Sequence, residues 1–160
     1  MVTARVPQNS VDHVGSLKRP PKLVQAWRDW EAGGLPFERL HEIQDNMITE
    51  AVAMQERLGL PIVSDGEFRR GGWSRGFLNA VEGFEFRASK LTFRNDQGVA
   101  TAAPAPVASQ KIRRKQPIVA DDFKFLKSIV KHTPKMTIPA PAMLHHRGGR
   151  NSVKIGRAHV

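Results

Sequence analysis

The sequence predicts an α/β protein with parallel strands, and three observations predict it. Short strand-like runs alternate with helical stretches along the chain. A long helix with apolar residues at three- and four-residue spacing leads into a short apolar run, Pro61–Ser64. That run breaks at Ser64-Asp65-Gly66-Glu67, a glycine turn with two carboxylates. In open α/β sheets and barrels, ligands bind at the carboxyl ends of the strands. This turn is therefore where function is first sought.

Taken in order, Val11–Ser16 is a short strand-like run closing on Gly15-Ser16. Pro20 and Pro21 suit a helix start, where the missing N–H costs nothing. Lys22–Ala32 then reads as a helix with Leu23, Ala26, Trp27 and Trp30 at helical spacing, stopped by Gly33-Gly34. Pro36 opens the strongest helix, running to about Leu58. Its stripe of Leu40, Ile43, Met47, Ala51, Met54 and Leu58 is that of a helix covering one face of a sheet. A Met-bearing stripe of this kind reads as core. Gly59 suits the position after the helix.

Beyond the turn, Phe68–Trp73 is a loop and Ser74–Val81 a short helix with Ser74 as its cap. Phe84–Arg94 reads as extended, Asn95–Ala105 as a loop, and Pro106–Arg114 as a strand. A helix capped by Asp121 or Asp122 runs through Val130. Lys135–Pro139 is the next strand, and Ala140–Arg150 turns polar and glycine-bearing, as where a strand spills into a functional loop.

Composition excludes several classes. With 160 residues, 40% hydrophobic and 25% charged, the chain is ordinary globular material, and it has no apolar run near the ~18 residues of a spanning helix. No secretory leader is visible, so no membrane partner and a cytoplasmic location are expected. The absence of cysteine excludes a disulfide framework and a thiolate metal site within this chain. The net charge of +10 raises nucleic acid as a partner. Only Lys111–Lys115 is a dense basic cluster, however, without the interleaved aromatics of a single-strand platform. No nucleic-acid partner is expected.

The closing stretch KIGRAHV reads as an in-frame translation of a common sequencing-library adapter, ATC GGA AGA GCA CAC GTC giving IGRAHV. The expectation is that residues 1–153 are native, residues 154–160 are a non-native tail, and the natural protein continues.

Three motifs then occur in order: HVGSLKRPPKL, ITEAVAMQERLGLPIVSDGEFRRGGW, and DDFKFLKS followed by TPKMTIPAPAMLHHRGGR. Together they resemble the cobalamin-independent methionine synthase family, and more closely its single-barrel, methionine synthase II-like members. The resemblance covers about Asp12 to Arg150. It implies a (β/α)₈ TIM barrel that uses zinc to transfer a methyl group from 5-methyltetrahydrofolate, carried as its polyglutamate, to homocysteine. A complete barrel needs about 250 residues. The chain would then be a partial barrel supplying about the first four strands, with Val11–Ser16, Pro61–Asp65, Pro106–Arg114 and Met136–Pro139 as candidates.

A homocysteine site needs donors for the α-carboxylate, an acceptor for the α-ammonium and a Lewis acid for the sulfur. Val14-Gly15-Ser16 resembles the family's Ile-Gly-Ser motif, whose N–H groups and hydroxyl can take the carboxylate. Glu67 resembles the family glutamate that accepts the ammonium. Without the resemblance, the spacing favours reading Gly15-Ser16 as only a turn and Glu67 as only a helix-start acid. Asp65 would orient Glu67's partners or Arg69, or form a surface ion pair. His13 is read either as a binding residue or as a hydrogen-bonded strand-end histidine. The candidate substrate-binding residues are thus His13, Val14, Gly15, Ser16, Asp65 and Glu67. Trp73 lines the pocket or packs the loop. Arg69 and Arg70 read as solvated charges, or as an attraction for an anionic folate tail.

Adjacent histidines on an extended segment point opposite ways, so His145-His146 is assigned no metal. The resemblance places the zinc ligands in the missing C-terminal part and leaves this fragment inactive alone. The alternatives are a related barrel enzyme that alkylates another thiol, a uroporphyrinogen-decarboxylase-like enzyme, and, from a different class, a basic nucleic-acid-binding protein.

Overall fold

The structure is a computed structural model describing residues 11–72, 74–88, 92–94, 97–102, 104–141 and 144. Trp73, His145-His146 and the tail 154–160 lie outside the described residues. The chain divides into two compact units, one holding residues 11–71 and 119–137, the other residues 72–118 and those after 137.

The first unit is α/β. Helices α1 (Pro21–Glu31) and α2 (Phe37–Arg57) precede strand β1 (Ile62–Ser64). In the same unit, helix α4 (Ala120–Ile129) leads to strand β6 (Thr133–Lys135), which pairs parallel with β1 in the register Ile62↔Thr133, Val63↔Pro134, Ser64↔Lys135. Leu23, Met47, Ile48, Ala51, Val52, Val63, Phe68 and Leu126 form the core, so each of these helices packs on the β1 layer. The two long helices fall where their periodicity places them. Proline opens both, with Pro21 at the first turn of α1 and Pro36 just before α2.

The face that α2 buries is rotated from the expected stripe. Leu40, Gln44, Met47, Ile48, Ala51, Val52 and Gln55 are buried, whereas Leu58 is exposed. Two glutamines in a core face break an apolar-only pattern. Gln55 accounts for its own burial: its Oε1 accepts the Ser64 N–H at 3.1 Å, and its Nε2 donates to Ser64 O at 2.9 Å. The side chain thereby pairs with β1 as a neighbouring strand would.

That pairing corrects the first candidate strand. Residues 11–16 carry no strand structure, and Gly15 has φ of 86°. Strand residues alternate which edge they face, and Thr133 N–H donates to Pro61 O, so residues 61 and 63 face β6 and Ser64 faces the other edge. Gln55 occupies that edge. The same alternation turns Pro134 away from β1, where its missing N–H breaks no bond of the pair. The last candidate strand, Lys135–Pro139, is shifted accordingly to Thr133–Lys135. Helix α4 is entered through Val119, not an aspartate cap. Asp121 and Asp122 lie in its first turn instead, where carboxylates favour the helix dipole.

The second unit holds the short helix α3 (Arg75–Asn79) and strands β2 (Val81–Arg87), β3 (Thr92–Arg94), β4 (Ala100–Ala102) and β5 (Ala105–Arg114). Ser74 precedes α3 but makes no side-chain cap bond. β5 pairs antiparallel with β2, from Val81↔Arg114 to Arg87↔Ala105, with an irregularity between Glu82 and Phe84. β3 and β4 form a second antiparallel pair, so the expected loop at Asn95–Ala105 contains a strand. Pro106–Arg114 is therefore a ribbon strand and not one of four parallel barrel strands. Its length and polarity mark it: from Ala108 onward every residue of β5 is exposed, whereas parallel strands are covered on both faces.

Candidate functional site at the end of strands β1 and β6

Parallel pairing puts the residues that follow β1 and β6 at the same end of the pair. Those residues are Asp65-Gly66-Glu67 and Met136-Thr137. Consecutive left-handed residues make the turn after β1, Gly66 with φ of 66° and Glu67 with φ of 59°. Gly66 has a steric reason: a Cβ there would lie 3.1 Å from Leu17 and Phe68 side-chain carbons. Glu67 has no such freedom. A left-handed L-residue costs about 1–2 kcal/mol, and such strain persists where surrounding bonds over-determine it.

Those bonds are present. Ser64 Oγ accepts the Gly66 N–H at 3.2 Å, and Asp65 Oδ1 accepts the Glu67 N–H at 3.0 Å. Arg70 N–H donates to Glu67 O at 3.2 Å. Arg19 Nη2 donates to Glu67 O at 3.1 Å and to Arg70 O at 2.7 Å, fastening the loop to the segment before α1. The turn is thus held from three sides, and its geometry aims the Glu67 carboxylate toward Thr137.

Glu67 Oε1 accepts the Thr137 hydroxyl at 2.7 Å and lies 3.4 Å from Arg70 Nη1. Arg70 Nη1 also donates to Thr137 Oγ1 at 2.9 Å, and Arg70 Nη2 donates to Thr137 O. Carboxylate, hydroxyl and guanidinium form a closed triangle. The Glu67 and Arg70 side chains are only 14% and 11% exposed, so the pairing is weakly screened, yet the carboxylate is not sealed from a ligand. Asp65 is buried beneath it, and burial raises its pKa above the ordinary value. The Glu67 N–H bond and the Arg70 charge act in the opposite direction.

The structure brings Ser16 to this turn. Its hydroxyl sits 3.3 Å from Gly66 O and 3.0 Å from Leu17 O, while Leu17 N–H donates to Gly66 O at 3.2 Å. Among the described residues, nothing accepts a hydrogen bond from the Gly15 or Ser16 N–H groups. Ser16 therefore lies against the turn that carries Glu67. Val14 is 84% exposed. His13 has its Nε2 buried without a partner, and its carbonyl accepts from Lys135 Nζ, which also ion-pairs with Asp12. The strand-end histidine is thus corrected: its Nε2 has no hydrogen-bond partner among the described residues, and residues 11–16 are not a strand.

Two arginines also differ from expectation. Neither Arg69 nor Arg70 is a solvated charge. Arg69 is 6% exposed, ion-pairs with Asp45 and, at 2.8 Å, with Asp122, and lies 4.6 Å over the Phe125 ring. It ties α2, the loop and α4 together, and Asp65 orients the Glu67 backbone rather than Arg69. Thr137 and Arg19 are the site residues that sequence reasoning missed, and Arg70 takes a different role from the one the sequence suggests. Thr137 carried a usable signal, a hydroxyl just past a strand end.

No family model matches the sequence. A Bacillus subtilis protein, YxjH, whose name gives no activity, is 37% identical over 136 residues, covering 83% of this chain and 35% of that protein. A methionine synthase of Saccharolobus solfataricus is 30% identical, over 80% of this chain and 37% of its own length. A solved structure from Listeria monocytogenes, put forward as a vitamin-B12 independent methionine synthase, superposes with a TM-score of 0.67 at 32% identity. It matches 86% of this chain and 38% of its own. The chain is a homologue of the cobalamin-independent methionine synthases. It spans just over a third of the length of these relatives.

Among this homologue's described residues, no three His, Asp or Glu side chains converge to hold a metal, and the sequence contains no cysteine. The described residues do not fit the zinc that the family implies. No described helix is long and apolar enough to cross a membrane.

Proposed function

We propose that this chain forms the amino-acid-binding end of a methyltransferase of the cobalamin-independent methionine synthase type, in which homocysteine receives a methyl group from 5-methyltetrahydrofolate. The observation that carries the proposal is the Glu67 carboxylate, fixed by Thr137 and Arg70 beside Gly15-Ser16 at the end of a parallel strand pair. Glu67 accepts the substrate α-ammonium in a charge-assisted hydrogen bond. The unengaged Gly15 and Ser16 N–H groups, with the Ser16 hydroxyl turned from its carbonyl partners, take the α-carboxylate. Asp65 acts beneath, holding the Glu67 main chain; His13 and Val14 belong to the segment that carries Gly15-Ser16.

The homology supports reading the first unit as part of a (β/α)₈ barrel, with β1 and β6 as two of its strands. The zinc ligands of such an enzyme would lie in the portion of the relatives that this chain does not span. Transfer by this chain alone is accordingly not expected.

Displacement of labelled L-methionine from the 160-residue chain tests the reading. L-homocysteine should displace it, and N-acetyl-methionine, which lacks the ammonium, should not. Equal displacement by both would remove Glu67 from the role.

A further inference from the structure

A small cavity of about 210 Å³ lies in the first unit, lined by Arg19, Val24, Trp27, Arg28, Glu31, Arg70 and Gly71. Positions 24, 27, 28 and 31 fall on one face of α1 by helical spacing, so a single helix face supplies an apolar wall and two charged groups. We propose that this cavity is a binding site for a carboxylate carried on a short apolar stem, beside the Glu67 triangle and sharing Arg70 with it.

The guanidinium groups carry the argument. Arg19 spends Nη2 on the Glu67 and Arg70 carbonyls. A guanidinium has five N–H donors, so Nη1 and Nε of Arg19 remain, and among the described residues no carboxylate neutralises it. The Arg28 side chain makes no ion pair or hydrogen bond among the described residues, nor does that of Glu31 one turn away. Arg70 is already balanced by Glu67. Arg19 and Arg28 set against Glu31 leave one uncompensated positive charge, which matches a carboxylate better than a phosphate dianion. The guanidinium fork suits a carboxylate geometrically, and Val24 with the Trp27 ring offers the stem an apolar wall. The volume is below the roughly 300–1,000 Å³ of sites for drug-sized molecules, so an end group fits and a whole cofactor does not.

The occupant is either a free small carboxylate or the carboxylate end of a longer ligand. Because Arg19 also grips the Glu67 loop, occupancy engages the group that holds that loop in place.

Tryptophan emission of the 160-residue chain, titrated at constant ionic strength, tests this. Butyrate and glutarate should give a saturable change that Trp27→Phe removes and that butyramide does not produce. Arg28→Ala, at an exposed position in a helix that alanine favours, should weaken binding by about 10-fold or more, the worth of a charged hydrogen bond. Arg28→Lys should fall between. Short γ-linked glutamate peptides binding tighter than glutarate would identify a chain end; equal binding would identify a free carboxylate. A response to butyramide equal to that to butyrate, tighter binding of phosphate, or an unchanged Arg28→Ala would overturn the proposal. The titration uses no homocysteine, so its failure leaves the Glu67 reading untouched.

Discussion

Replacing Gln55 by leucine should destabilise the first unit by about 3 kcal/mol. The amide of Gln55 satisfies both the N–H and the C=O of Ser64, at 3.1 and 2.9 Å, and the two residues are 1% and 4% exposed. Leucine keeps the bulk but leaves two buried backbone groups unpaired, each costing about 1–3 kcal/mol. The added apolar burial returns about 1 kcal/mol. The third contact, to Ala51 O at 3.0 Å, is supplementary to a helix carbonyl that keeps its backbone partner. The assay is urea unfolding followed by far-ultraviolet circular dichroism, together with amide exchange at Ser64, which should accelerate. Gln55→Glu supplies an internal control. Its protonated form reproduces the amide's donor and acceptor, so its deficit should be smaller near pH 4 than at pH 7. A Gln55→Leu chain within about 0.5 kcal/mol of the native one would refute the reasoning.

Three further outcomes are expected. Thr137→Val removes the hydroxyl linking Glu67 to Arg70 while keeping shape, and should weaken L-methionine binding about 10-fold by calorimetry; Thr137→Ser should restore it. Arg69→Met leaves Asp45 and Asp122 without their shared cation. Breaking a fully buried pair costs about 3–5 kcal/mol, and with both carboxylates about a third exposed the cost should be nearer 2 kcal/mol in urea unfolding. Asp65, whose folded pKa is raised from 3.8 by burial, contributes stability that is present below that value and lost as pH rises through the folded one. Asp65→Asn should therefore flatten the pH dependence of stability above pH 4 and be the more stable form at pH 7.

What the sequence disclosed follows physical range. The helices α1 and α2 were legible because periodicity and proline starts are local signals, and the turn at Asp65–Glu67 was legible because a glycine between carboxylates interrupts an apolar run. Gln55 was not legible. A buried glutamine looks polar in sequence, and only its reach to Ser64, nine residues on, explains it. The strand β5 was found but misplaced, since strand patterning does not encode whether its partner runs parallel. Arg70 and Thr137 are 67 residues apart, and pairing across that distance leaves no local trace. Asp45, Arg69 and Asp122 fall under the same explanation.

The central claim is that Glu67 recognises the substrate ammonium. It is tested most directly by comparing L-methionine with its des-amino analogue, 4-methylthiobutyrate, in calorimetric titrations of the native chain and of Glu67→Gln. The native chain should prefer methionine by about 10-fold or more, and Glu67→Gln should bring the ratio close to one. An unchanged preference in Glu67→Gln would contradict it.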